Sequence, residues 1–206
     1  NIRWPGGCFA DEYNWRDGVG PRDKRPNRVN TTWGMVTEPN TFGTHEFLRL
    51  TELLDAEPYI SANVGSGSPR EMQQWLEYLT YPGDSELANM RRKNGRKEPY
   101  DIKFWGIGNE SWGCGGNMRP EYYADLYRRF EAFAEHFGDG ELFKIASGWS
   151  DDQYEWTDVV MDRAGFAMDA ISLHYYTIAG LGWENKGSST DFGQDMYFNG
   201  IQAALQ

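Results

Sequence analysis

Short apolar runs alternate with amphipathic helical patterns along this chain, and every apolar run ends in glycines or polar residues. Strand-like stretches lie near residues 2–5, 58–64, 101–108, 143–148 and 169–175, with helical connections between most of them. Such alternation implies a parallel sheet with right-handed crossovers. The strand ends decide between the two parallel architectures. Gly6–Gly7–Cys8, Asn63–Gly65–Ser66, Asn109–Glu110, Ser147–Gly148–Trp149 and His174–Tyr175–Tyr176 all follow a strand. A closed barrel gathers all such ends into one pocket, whereas an open sheet uses mainly its switch point. No GxGxxG sits between a strand and a helix, so a dinucleotide-binding sheet lacks its fingerprint. The expected class is α/β, a closed barrel of the TIM kind in preference to an open sheet, and 206 residues suit one domain.

The helices announce themselves by their caps. "THEFLRLTELLDA" places Phe47, Leu48, Leu50, Leu53 and Leu54 at helical spacing, with Thr44 as N-cap. "SPREMQQWLEYLT" opens with Ser68 at the N-cap, Pro69 at N1 and Glu71 completing a capping box. "RPEYYADLYRRFEAFAEHF" carries a stripe running from Tyr123 to Phe137, and "DDQYEWTDVVMDRA" reads as a further helix. Residues 10–40 contain Pro21, Pro26 and Pro39 with little periodicity, and read as an ordered excursion over the surface.

The net charge of −11 would repel polyanions, which argues against nucleic acid and anionic membrane surfaces as partners. No run approaches the ~20 apolar residues of a membrane-spanning helix. Aromatic residues make up 16% of the chain; most suit a core, and the remainder suit stacking on sugar rings. Cys8 and Cys114 indicate no disulfide framework, and their pairing is left open, with a reducing cytoplasm favoured. Three dispersed histidines and two cysteines lack metal-ligand spacing, so no metal and no cofactor are expected. His45 and His136 read as surface or packing residues, and the basic run "RRKNGRKEP" as an exposed helix end and loop.

"IKFWGIGNESWGCGGN" holds the main chemical signal. An apolar strand delivers Asn109 and Glu110 into a glycine-rich loop, with Trp112 beside them. Partial burial against an aromatic would raise the Glu110 pKa and keep it able to donate a proton. Asn109 can hydrogen-bond a substrate hydroxyl. Retaining glycoside hydrolysis uses such an acid together with a second carboxylate as nucleophile. A glutamate taken at random is more often a solvated loop charge, and position after an apolar strand is what lifts this one above that reading. Asp11 and Glu12 follow the strand at residues 2–5, and Glu184 and Asp191 lie in the loop after the one at 169–175. No apolar strand delivers any of them to the pocket, so all four read as solvated or structural charges.

Four segments, "RWPGGCFADEYNWRDGVGPRDKRP", "EPNTFGTHEFL", "FWGIGNESWGCGGNMRPEYYADLYR" and "SLHYYT", resemble glycoside hydrolase family 51, mainly α-L-arabinofuranosidases. The resemblance runs essentially from Ile2 to the last helix. It implies a (β/α)8 barrel in which Asn-Glu after the fourth strand carries the acid/base, here Asn109 and Glu110. It places Gly7 and Cys8 along the arabinose subsite, His174 and Tyr176 near the nucleophile, and Trp33 at the pocket edge. It implies strands two to six within residues 1–206. The remaining strands, an appended β-sandwich and a nucleophilic glutamate beyond Gln206 are expected outside them. The implied substrate is an arabinose-containing carbohydrate. A homo-oligomer is left open. Two other readings stand beside this one: a same-clan endo-β-glucanase, and a non-catalytic carbohydrate-binding barrel.

Overall fold

The computed structural model describes residues 1–150 and 154–176. Five parallel strands make the sheet: β1 (Ile2–Trp4), β4 (Pro58–Ala62), β5 (Phe104–Ile107), β6 (Phe143–Ser150) and β7 (Ala170–His174), hydrogen-bonded in that order. The other two strands, β2 (Arg28–Asn30) and β3 (Val36–Glu38), form a small antiparallel ribbon within the long polar segment. The helices are α1 (Thr44–Leu54), α2 (Pro69–Thr80), α3 (Glu86–Lys93), α4 (Pro120–Glu131) and α5 (Glu155–Ala164). Among the described residues, no helix is long and apolar enough to cross a membrane.

The sheet is strongly curled, and two cross-sheet approaches demonstrate it. Arg3 on β1 donates to Asn109, just beyond β5, at 2.6 Å, although β4 lies between. Tyr59 on β4 comes near enough to Ser172 on β7 to interact, although β5 and β6 lie between. In a flat sheet those strands would stand roughly 14 Å apart. Both pairs therefore meet across a concave face, and the result is an α/β half-barrel. Arg3, Tyr59 and Ser172 point into the concavity, and Gly106 leaves room there, since a Cβ on it would lie 2.6 Å from the Tyr59 ring.

Strand alternation sends the neighbouring residues to the convex face. Ile60, Ala62, Trp105 and Ile107 are buried there under the helices. Trp4 stacks on Phe47 of α1, with centroids 5.3 Å apart, and meets Trp75 of α2 edge-on. Trp75 also meets Trp105 edge-on at 5.6 Å. Most of the aromatic residues are thus core, offset and edge-to-face as ring quadrupoles prefer.

Several local expectations are corrected. Gly43, not Thr44, is the N-cap of α1; Glu46 accepts from the Gly43 amide, and Thr44 accepts from the Trp75 indole. The buried stripe of α1 is Thr44, Phe47, Leu48 and Thr51, leaving Leu53 and Leu54 exposed. Helix α4 stops at Glu131, where bonds from Phe133 to Phe130 and Ala134 to Glu131 tighten the chain into 3₁₀-type turns. Ser147, Gly148 and Trp149 lie inside β6 rather than after it. The basic run is not wholly exposed. Arg91 is fully buried and donates to the carbonyls of Tyr78 and Tyr81. His45 of α1 bridges the hydroxyls of Tyr78 on α2 and Tyr100 in the segment before β5.

Candidate active site

Glu110 is the third residue after β5, and its backbone pays for the position in strain. Its φ is +46°, the left-handed region that non-glycine residues rarely occupy. Gly108, at φ +89°, makes the approach, and a side chain there would strike Ser111 and Val64. The carboxylate that results is buried, at 9% exposure. Its Oε1 takes two contacts from the end of β7: His174 Nδ1, on the last residue of the strand, at 2.6 Å and the Tyr176 hydroxyl, two residues on, at 2.7 Å. Its Oε2 lies 3.9 Å from the sulfur of Cys114. One oxygen is therefore held by donors, and a transferable proton belongs on the other.

The expected rise in the Glu110 pKa is not found. The His174 hydrogen bond lowers it most, burial opposes, and Tyr176 and the charges of His174 and Arg3 pull the same way as the first bond. The net shift is downward. Trp112 does not supply the expected apolar wall, because it is turned away. Its indole donates to the Gly148 carbonyl and its rings pack on Trp149 at 4.5 Å.

Asn109 is 1% exposed. Its Oδ1 accepts from Arg3, while its Nδ2 has no hydrogen-bond partner among the described residues. A buried amide donor left over in this way is suited to a ligand oxygen. Asp11 holds the whole turn from behind. Its Oδ1 accepts from the Val64 and Gly65 amides and its Oδ2 from the Asn109 amide, so one carboxylate ties the ends of β4 and β5 together. Burial outweighs these bonds and raises its pKa to about 6. Tyr123 of α4 does the equivalent for β5 and β6, donating to the Ile107 carbonyl and accepting from the Ser147 amide.

Cys8 and Cys114 are joined in a disulfide, with Cα atoms 5.3 Å apart. This corrects the leaning toward reduced thiols: the curl of the sheet brings the ends of β1 and β5 together, which a separation of 106 residues conceals. Gly7, at φ +58°, precedes Cys8, and a Cβ on it would lie 3.9 Å from the Trp33 indole nitrogen. Trp33 itself is 58% exposed, on the ribbon between β2 and β3. Gly7, Cys8, Trp33, Asn109, Glu110, His174 and Tyr176 thus lie at one end of the sheet. Cys8, Glu110 and Cys114 also form one group whose potential ligand atoms all fall within 4.8 Å of one another, although bonded sulfurs offer no thiolate.

Arg3 and Asp11 were missed as site residues in the sequence. The signal for Arg3 was an arginine in the middle of an apolar strand, facing inward by alternation. Asp11, read as a solvated or structural charge, is structural and buried. Glu12 accepts from the hydroxyls of Thr31 and Thr32. Glu184 and Asp191 lie outside the described residues.

Residues 1–180 match the family model described as the alpha-L-arabinofuranosidase 1 domain. An intracellular exo-alpha-L-arabinofuranosidase of Bacteroides ovatus is 59% identical over 198 residues, covering 96% of this chain and 38% of that protein. The crystal structure of a GH51 arabinofuranosidase from Xanthomonas axonopodis pv. citri superimposes with a TM-score of 0.92 at 55% identity, over 98% of this chain and 41% of that one. An alpha-L-arabinofuranosidase from Thermotoga maritima, in complex with arabinose, gives 0.79 at 39% identity, with coverage of 98% and 41%. The chain therefore spans about two fifths of the length of these relatives. By the extent of these matches, the chain belongs to the alpha-L-arabinofuranosidase 1 domain family of glycoside hydrolase family 51.

Proposed function

We propose that this chain is part of a retaining glycoside hydrolase that releases terminal α-L-arabinofuranosyl residues from arabinose-containing polysaccharides and oligosaccharides. Glu110 is the general acid/base. The observation that carries this reading is its carboxylate, strained into place after β5, with Oε1 bonded by His174 and Tyr176 and Oε2 left for the proton. Asn109 Nδ2 binds a sugar hydroxyl, the Gly7–Cys8 turn lines the sugar, and Trp33 caps the pocket edge. Neither an endo-β-glucanase nor a non-catalytic binding barrel draws support from the site or from the relatives.

Residues 1–206 are the partial catalytic domain in this reading, with strands two to six of a (β/α)8 barrel. The other barrel strands, the β-sandwich and the nucleophile belong to sequence outside these residues, in line with the greater length of the relatives. Retaining chemistry needs that second carboxylate about 5–5.5 Å from the first. A like charge at that distance opposes the pull of His174 and returns a proton to Glu110. The Bacteroides relative is named an intracellular enzyme, which supports an intracellular location.

Replacement of Glu110 by Ala in the full-length enzyme tests the assignment. Hydrolysis of substrates with poor leaving groups should fall by roughly 10²–10⁴-fold, and that of activated aryl arabinofuranosides far less, because only poor leaving groups need the proton. Added azide should yield an arabinofuranosyl azide by attacking the glycosyl-enzyme without base help. Equal losses for both substrate kinds, without azide product, would assign Glu110 another role.

A further inference from the structure

The disulfide beneath Glu110 sets two sulfurs beside a carboxylate oxygen, a donor set whose chemistry changes with oxidation state. We propose that a dithiol reductant converts this group into a binding site for a divalent cation of the zinc class, held by Cys8, Cys114 and Glu110. Bound there, the cation occupies the carboxylate oxygen that would carry the proton.

The geometry is close to what such an ion needs. Zinc takes thiolate at about 2.3 Å and carboxylate oxygen at about 2.0–2.2 Å in a tetrahedron. These lengths place two sulfurs about 3.8 Å apart, and a sulfur and an oxygen about 3.5 Å apart. Here Cys114 Sγ and Glu110 Oε2 are already 3.9 Å apart, and all three donor atoms fit within 4.8 Å. Opening the disulfide lets the sulfurs separate by side-chain rotation from Cα positions 5.3 Å apart. Cys114 is exposed on a glycine-flanked loop, so a reductant reaches it, whereas Cys8 and Glu110 are buried.

The surroundings favour the ion once the thiols are free. His174 and Tyr176 both bond the other oxygen, Oε1, which fixes the carboxylate with Oε2 toward the sulfurs. Carboxylates that ligate a metal are themselves hydrogen-bonded by outer groups, the place His174 and Tyr176 take here. Three protein ligands leave a fourth position for water. The chemistry balances: the dithiol gives two electrons and two protons to the cystine and becomes its own disulfide. Metal binding then releases both thiol protons to water.

The effect on activity rests on the acid/base reading of Glu110; the binding does not. The test uses the full-length enzyme, reduced with dithiothreitol, freed of reductant by anaerobic gel filtration and titrated with cadmium ion. A thiolate-to-cadmium charge-transfer band should appear with one equivalent bound, and be absent from the oxidised enzyme. Cys114→Ser should abolish it, and Glu110→Gln should weaken cadmium affinity roughly tenfold or more. Arabinofuranoside hydrolysis should fall as the band grows and return when a chelator removes the ion. No band in the reduced enzyme, loss of its circular dichroism on reduction, or equal affinity in Glu110→Gln would each overturn the site. A band that Glu110→Gln weakens, without loss of hydrolysis, would uphold the site and overturn the catalytic reading of Glu110 instead.

Discussion

At the scale of single residues, the site is a contest between burial and donors, and the two carboxylates resolve it oppositely. Glu110 ends below the ordinary range because His174 and Tyr176 bond it; Asp11 ends above because burial outweighs its backbone bonds. Removing His174 by substitution with Ala should therefore raise the Glu110 pKa. The alkaline limb of kcat/KM, where the acid loses its proton, should shift to higher pH. Tyr176→Phe should move it in the same direction by less, and pH–rate profiles check both. For Asp11 the folded state binds the proton more tightly than the unfolded chain. Its contribution to stability is then complete below about 4 and is lost as pH rises through about 6. Compared with Asp11→Asn, the native protein should lose on the order of 3 kcal/mol of relative stability across that window, measured by urea unfolding at each pH. Glu110, Asn109, His174 and Tyr176 were legible in the sequence because each closes an apolar run. Asp11 was not, since nothing in "CFADEY" tells that three backbone amides converge on it.

At the scale of elements, strands and capped helices were readable and their exact ends were not. Ser68 behaves as its motif promised, accepting from the Glu71 amide at 3.2 Å. Glu71 answers on the Ser68 hydroxyl at 2.8 Å rather than on its amide. The apolar stripe of α4 runs on past the helix because Ala134 is still buried after the backbone has changed course. The β2–β3 ribbon was invisible, since three-residue strands leave too short a period to detect. Strand β6 carries a register shift against β7 between Ser147 and Ser150. Gly148 lies within it, and a Cβ there would sit 2.4 Å from the Ser172 carbonyl oxygen. Gly148→Ala should therefore push β7 outward, cost about 1–3 kcal/mol in thermal or urea unfolding, and slow turnover by displacing His174 from Glu110.

At the scale of the molecule, curvature is the property that matters, and it was only partly legible. Polar strand ends implied that the sheet closes toward one pocket. That Arg3, Tyr59 and Ser172 would meet across the concavity depends on side-chain reach, which periodicity does not encode. The disulfide depends on the same curl. Seen as connectivity, it turns residues 8–114 into a covalent ring that contains β2, β3, α1, β4, α2, α3 and β5. The exposed stretch Pro21–Lys24, a single 3₁₀ turn within that ring, is open to a protease. A single cut there by trypsin should leave the chain one piece on a non-reducing gel and two on a reducing gel. For as long as the ring is closed, a severed backbone is still one molecule.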